Sequence, residues 1–203
     1  MSLSDKDWRR VRIHRVVSEF LLAEFHRVRG FLPQDLWTLV TSPNLGDSRQ
    51  NHIRLSALCY CRAELIGEVP PDTIWYEVSD LTAEELPELR VIARCGLWTD
   101  EAGRNELPYV AQRIQRKDVD FATDPRSWSA PILWGHDRTG PFTILDGNHR
   151  LLAYLRSVNP PPISVRAMVG LSPTPCFWHI HDVCGKLCND LWSKARPPFD
   201  TVL

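Results

Sequence analysis

One short segment of this 203-residue chain combines the residue types that phosphate chemistry requires. Asp146-Gly147-Asn148-His149-Arg150 follows an apolar run, Phe142 to Leu145, and precedes a leucine-rich stretch. A strand that ends at Asp146 and a helix that begins at Asn148 would point unpaired N–H groups and the positive end of the helix dipole at the space above the turn. The sequence therefore predicts an anion site at residues 146–150.

Each residue of the segment suits a part of that chemistry. Gly147 lets a phosphate approach the backbone closely, and Arg150 can clamp it with two hydrogen bonds. His149 can donate or exchange a proton, and Asp146 can hold Mg²⁺ or accept the proton of a hydroxyl group. In a simpler interpretation, Asp146 or Asn148 only caps the helix and Arg150 pairs with a nearby acid.

A second candidate cluster runs from Cys176 to Cys188 and holds three cysteines and two histidines within thirteen residues. Zinc accepts such ligands, but these spacings match no common structural zinc module. We therefore expect buried thiols rather than a zinc site. His179 and His181 would share one face of a strand, from which they can reach the phosphate turn.

Large aromatic residues flank the same region. Trp134 and Trp178, together with His179 and His181, are candidates for the wall of a nucleotide or substrate pocket. The alternative is that the tryptophans belong to the hydrophobic core.

The second half of the chain contains sequence signals for the strands and the helix that must position these residues. Residues 132–134 and 142–145 predict a β-hairpin, because the segment between them is rich in turn-forming residues. A helix is predicted over 149–157 and an alternating strand over 163–169. A further strand is predicted at 73–78.

The first 69 residues contain only two prolines and are expected to be mainly helical. Apolar spacing predicts helices over about 6–29 and 49–66, the second with Leu55, Leu58, Cys59, Ala63 and Leu65 as its apolar set. Thr82 opens a capping box for a further helix that would carry Leu86 and Leu89.

Composition restricts the classes of function. Lys and Arg number 24 and Asp and Glu number 25, so the net charge of −1 excludes a strongly basic, non-specific nucleic-acid coat. The first ten residues have no apolar signal-peptide core, and no apolar run approaches the ~18 residues of a membrane span. We expect one cytoplasmic domain whose six cysteines are mostly free thiols.

The residues from Phe142 to Leu155, followed by Pro162-Ile163-Ser164-Val165, resemble the central motif of the ParB/sulfiredoxin-like superfamily: a strand, a D-G-x-H/R-R turn, a helix and a second strand. The resemblance implies an α/β (α+β) fold, with a small mixed sheet and flanking helices. It covers roughly 131–169 well and extends more weakly to the strand at 73–78. Residues 70–203 would form this domain, and residues 1–69 an N-terminal helical extension.

Departures from the family narrow the function that the resemblance implies. Sulfiredoxins carry a catalytic cysteine at the position of Asn148, and chromosome-partitioning ParB proteins need a DNA-reading domain for which few residues remain. The nearest motif is the D-G-H-H-R turn of free-serine kinases of ParB-like fold. By that resemblance Asp146 would bind the metal or activate the acceptor, while Gly147, Asn148, His149 and Arg150 would hold the phosphates.

Those kinases also use a glutamate from an earlier loop as base, a role for which Glu77 and Asp80 are candidates here. The function expected is therefore a kinase-like small-molecule phosphotransferase that uses ATP, ADP or CTP with Mg²⁺. Asn51, Arg54 or Arg62 of the extension can contribute to substrate binding. The alternative is a non-catalytic nucleotide-responsive or nucleic-acid-binding module; a nuclease is less favoured because no acidic metal cluster is evident.

Overall fold

The computed structural model describes residues 6–82, 89–91, 129–148, 150–151, 165–174 and 176. Six strands lie in these ranges: β1 (Trp8–Val11), β2 (Ile74–Leu81), β3 (Leu89–Val91), β4 (Ile132–Gly135), β5 (Phe142–Asp146) and β6 (Val165–Leu171). Four helices accompany them: α1 (Ile13–Ala23), α2 (Phe25–Val28), α3 (Thr38–Thr41) and α4 (Ser48–Gly67). A 3₁₀ turn, Gln34–Leu36, lies between α2 and α3.

The described strands form one mixed sheet in the order β1-β2-β6-β4-β5-β3. The pairs β1/β2, β2/β6 and β4/β5 are antiparallel. The pairs β4/β6 and β3/β5 are parallel. The fold is therefore a mixed α+β architecture, and the predicted hairpin and the strands at 73–78 and 163–169 are confirmed within the described residues.

One row of paired residues crosses most of the sheet and fixes the position of the predicted turn. Arg9 pairs with Glu77, Glu77 with Met168, Met168 with Ile132, and Ile132 with Asp146. Asp146 therefore lies in the same row as Glu77 but three strands away from it.

Helices α1 and α4 cover one face of the sheet. Phe20 and Leu21 of α1 and Leu58 of α4 are buried in one core cluster with Trp75 and Ile132 of the sheet. Helices α1 and α4 of the N-terminal region therefore share one core with the sheet. Among the described residues, no helix has both the length and the apolar character needed to cross a bilayer.

The predicted helix over 6–29 is wrong at its beginning. Trp8 to Val11 form the edge strand β1, and α1 begins only after Arg12. The residues Trp-Arg-Arg-Val do not alternate strictly between apolar and polar, as a half-buried strand would. Together with the residues that follow, they fit the spacing of a helix. Pairing with β2 decides the conformation, since Trp8 becomes buried opposite Val78.

Helix α4 agrees with the prediction in its bounds, and Leu58 of the predicted apolar set is buried, but Leu55 is not. Asp47 caps it by accepting a hydrogen bond from the Gln50 backbone N–H at 3.1 Å. Leu55, predicted to be apolar core, is exposed, whereas the side chain of Arg54 is fully buried. In this turn of the helix the buried residue is an arginine and the exposed residue is a leucine. The spacing of apolar residues therefore indicates the wrong buried position there.

Leu89 was predicted to lie on a helix but belongs to β3. It pairs in parallel with Phe142 of β5. The rest of the capping box after Thr82, and Leu86, lie outside the described residues. Parallel pairing with a distant strand leaves no local sequence signal, so a three-residue edge strand could not be distinguished from the end of a helix.

Candidate functional site

The predicted strand, turn and helix start are present at the end of β5. The strand ends at Asp146, Gly147 has a φ of +89°, and Asn148 has helical backbone conformation. The Leu151 N–H donates to the Gly147 carbonyl oxygen at 2.9 Å, which closes the first helical turn. A Cβ atom at position 147 would lie 3.0 Å from the Cβ of Pro131, so both the backbone angle and the packing require glycine.

Arg150 reaches back from the helix to the start of the hairpin. One terminal nitrogen donates to the Ser129 carbonyl oxygen at 2.7 Å and to the Ser129 hydroxyl at 2.6 Å. The other nitrogen lies 3.4 Å from an oxygen of the Asp146 carboxylate. The Asp146 and Arg150 side chains retain 17% and 19% exposure, so the pair is open to solvent at one edge.

Two residues that sequence reasoning did not connect to the turn are brought close to it. Glu24, at the end of α1, is buried, and Arg62 of α4 forms an ion pair with it. The charges of Glu24 and Arg62 both act on the Asp146 carboxyl group. Helix α4 is kinked at Arg62, whose φ and ψ are not helical. The site therefore contains two carboxylates and two guanidinium groups.

Burial raises the pKa of Asp146, because its charged form loses hydration. The neighbouring Arg150 opposes the rise in pKa, whereas the negative charge of Glu24 adds to it. The Gly147 N–H and Arg62 also favour the charged carboxylate, but burial is the largest influence. A carboxyl group shifted in this direction is better suited to proton transfer near neutral pH than an ordinary aspartate.

The raised pKa makes a testable prediction about stability. The folded state binds the proton of Asp146 more tightly than the unfolded state does. The contribution of Asp146 to stability therefore falls as the pH rises from its unfolded pKa of about 4 through its higher folded pKa. Asp146→Asn cannot titrate. We expect the melting temperature of Asp146→Asn, relative to the unaltered protein, to increase between pH 4 and pH 7. Differential scanning calorimetry across that range measures it.

The comparison of the two proteins at each pH cancels the titration of groups that do not interact with Asp146. Asp35→Asn provides the control, because Asp35 is exposed in the 3₁₀ turn. A melting-temperature difference for Asp146→Asn that stays constant or falls with rising pH would contradict the assigned direction of the pKa shift.

Glu77, the candidate base, does not lie at the turn. Three strand spacings separate it from Asp146 along the row across the sheet, which is about 14 Å. Its carboxylate lies 2.8 Å from Arg9, 3.6 Å from Arg15 and 3.8 Å from Arg166. Glu77 is therefore part of a charged network beneath α1, and Glu24 is the glutamate that the fold places near Asp146.

Several other sequence candidates have structural positions. Trp134 has 0% exposure and its indole N–H donates to the Thr73 hydroxyl, so it lies in the core and offers no pocket wall. Asn51 and Arg54 bond to each other and to carbonyl groups of residues 39–45, so they hold that loop and do not face the turn. Asp80 has a φ of +58° and its carbonyl oxygen accepts a hydrogen bond from Lys6.

The remaining candidates fall outside the described residues. They are His149, Trp178, His179, His181, Cys184 and Cys188. The described part of the cluster is Cys176, whose buried thiol donates a hydrogen bond to the Glu68 carbonyl oxygen at 3.4 Å. Cys59, Cys61 and Cys176 are not joined by disulfide bonds.

The carboxylate at the turn suits a cation that binds together with a nucleotide better than a metal ion bound by the protein alone. Among the described residues, no group of three or more His, Cys, Asp or Glu side chains could hold an ion. Asp146 offers one carboxylate with an open edge, and Mg²⁺ commonly uses one or two carboxylates together with phosphate oxygens and water. Asp146 is the residue that would hold it, as an alternative to the role in which its carboxylate accepts a proton.

Comparison with protein-family models, curated proteins and solved structures found no match to this chain. The ParB/sulfiredoxin-like assignment stays a prediction from the motif at residues 142–165. The function of the protein must therefore be inferred from the geometry of the turn.

Proposed function

We propose that the turn at residues 146–150 binds the phosphate groups of a nucleotide and that the protein transfers a phosphoryl group to the hydroxyl of a small molecule. The observation that carries the proposal is the arrangement of Asp146, Gly147 and Arg150. A carboxylate and a guanidinium group, both partly exposed, lie beside a helix start that only glycine permits. Such a helix start favours anions through its N–H groups and its dipole.

In this proposal the acceptor oxygen attacks the terminal phosphorus, the bond from that phosphorus to the leaving phosphate oxygen breaks, and the acceptor proton passes to the Asp146 carboxylate. Arg150 would stabilise the charge on the transferring group. Mg²⁺, when bound with the nucleotide, offsets phosphate charge. The side-chain oxygen of Asn148 is buried and has no hydrogen-bond partner among the described residues. An amide oxygen accepts hydrogen bonds only, so its partner on a ligand would be a hydroxyl group and not a phosphate oxygen.

A test is the thermal stability of the protein with ATP, ADP or CTP in the presence of MgCl₂. At a hundredfold excess over Kd a bound nucleotide stabilises the fold by about 2.7 kcal/mol. We expect such a shift for the unaltered protein and its loss in Asn148→Asp, which places a negative charge at the phosphate position. Arg150→Lys should weaken the shift, since lysine cannot make two parallel hydrogen bonds.

Arg49→Ala is the matched control, because Arg49 is exposed near the beginning of α4, about 20 Å along the helix from Arg62. It should retain the full shift. Phosphorus NMR with serine and other small hydroxyl compounds then measures transfer. The absence of a nucleotide-dependent shift with all three nucleotides would contradict the proposal.

One observation favours a second candidate, a nucleotide-responsive module without catalysis. Both terminal nitrogens of Arg150 already have partners, and its bonds to Ser129 are much shorter than its 3.4 Å contact with Asp146. A phosphate that takes over the weaker contact would release Asp146 while Ser129 stays bound. A thermal shift without product formation would favour this candidate.

A further inference from the structure

A cavity of about 570 Å³ lies between the beginning of α1, helix α4 and the first residues of β2. This volume is within the range of about 300–1,000 Å³ that small-molecule pockets occupy. Its inner wall is apolar and includes Val17, Phe20, Leu58 and Trp75.

The cavity lies against the face of the sheet that the helices cover. Ile74 and Trp75 line one part of it, and Ile132 and Leu145, which stand beside Asp146, line another. Asp146, Gly147 and Arg150 do not line it, so a ligand of the cavity would be recognised by residues other than those of the phosphate turn.

Exposed apolar residues also lie around the cavity. Ile13, Leu55 and Ile74 are 45%, 37% and 40% exposed, and all three line it. They are half of the six large apolar side chains that the described residues leave exposed. Exposed apolar residues scattered singly are ordinary, but a group that lines one cavity marks a binding site.

The charges around the cavity have one sign. The charged residues that line it are Arg10 and Arg12, and no aspartate or glutamate does. Neither arginine has an ion-pair partner in the part of the chain that the structure describes. Arg12 is the N-cap of α1 and makes no side-chain cap, and the first turn of α1 contains no acid, so the positive helix end adds to the same potential.

We propose that this cavity binds a small anionic amphiphile, specifically an aliphatic carboxylate. The hydrocarbon chain would occupy the apolar interior against Phe20 and Trp75. The carboxylate would remain at the rim, where Arg12 can make two parallel hydrogen bonds to it. A cationic amphiphile of the same length would meet only like charge there.

Isothermal titration calorimetry with dodecanoate, below its micelle concentration, tests the proposal. We expect one site per chain and no binding of dodecyltrimethylammonium. Arg12→Glu should weaken binding at least tenfold, because it removes a charge-assisted pair and adds repulsion. Leu55→Trp, at a partly exposed position on the rim, should block entry.

The matched controls lie on the same part of the chain but outside the cavity. Arg29→Glu makes the same charge change at an exposed arginine, and Leu22→Trp makes the same size change at an exposed leucine of α1. Both should bind dodecanoate normally. Thermal melts establish that each variant is folded.

A bromine-labelled ligand locates the site directly. 12-Bromododecanoate should quench the fluorescence of Trp75, which lines the cavity, and Trp75→Phe should remove that part of the quenching. Absence of dodecanoate binding, or equal binding by Leu55→Trp, would overturn the proposal. So would a concentration-dependent dimer that Leu55→Glu abolishes, since a second copy of the chain would then be the occupant.

Discussion

Replacing Glu19 with alanine is expected to lower the free energy of unfolding by about 3–5 kcal/mol, the usual effect of removing one partner from a buried charge network. Glu19 is buried on α1. One carboxylate oxygen accepts the Ala130 N–H at 2.9 Å, and the other lies 2.9 Å from Arg166 and 3.0 Å from Arg15. Alanine leaves the Ala130 N–H unpaired, and it leaves Arg15 and Arg166 with only their longer contacts to Glu77.

Urea denaturation followed by circular dichroism measures the loss. Glu68→Ala is the control, because Glu68 is exposed at the end of α4 and should change stability by no more than about 0.5 kcal/mol. Glu19→Gln, which keeps the shape and the bond to Ala130, should fall between the two. A loss below about 1 kcal/mol for Glu19→Ala would show that the network does not stabilise the fold.

Glu19→Ala should also affect the candidate site at the turn. Ala130 follows Ser129, which holds Arg150 at the turn. We therefore expect Glu19→Ala to reduce any nucleotide-dependent stabilisation even under conditions in which the variant remains folded.

Replacing Gly147 with valine is expected to have the second large effect. A φ of +89° costs a non-glycine residue about 1–3 kcal/mol, and a β-branched side chain is among the least tolerant. The added atoms would also meet Pro131, where even a Cβ lies only 3.0 Å away, at a further cost of about 1–3 kcal/mol. The turn must shift, so nucleotide-dependent stabilisation should disappear.

Gly67→Ala gives the matched control, since a Cβ there meets nothing within 4 Å and α4 is a favourable place for alanine. Its stability should be unchanged or slightly higher, with the nucleotide response intact. Denaturation and nucleotide-dependent melts on both variants provide the measurement. A Gly147→Val protein as stable as the Gly67→Ala protein would contradict the geometry assigned to the turn.

The parts of the fold that the sequence predicts well are those with local signals. The hairpin around residues 135–141 has turn-forming residues between two apolar runs, and α4 has an aspartate cap and a proline beyond its end. The turn at Gly147 is in the same class, because a strand, a glycine and the start of a helix follow one another directly. Within the described residues these elements agree with the prediction; of the helix predicted over 149–157, residues 149 and 152–157 lie outside the described residues.

The rest depends on contacts between distant parts of the chain. Glu24 and Arg62 reach Asp146 only because α1 and α4 pack on the face of the sheet beside β5. Glu77 is a candidate in the sequence because it lies at the strand that contains Trp75, but its distance from Asp146 follows from strand order. Periodicity and composition contain no information about that order.

The order of the strands has a consequence for synthesis on the ribosome. Strand β6 lies between β2 and β4 but is translated after both, and it also carries the arginine that pairs with Glu19. At about 5–20 residues per second, roughly 5–20 s separate β2 from β6. During that interval one edge of β2 lacks its partner and is open to pairing with other chains. We expect the yield of folded protein to depend strongly on expression temperature and on chaperones that shield nascent strands.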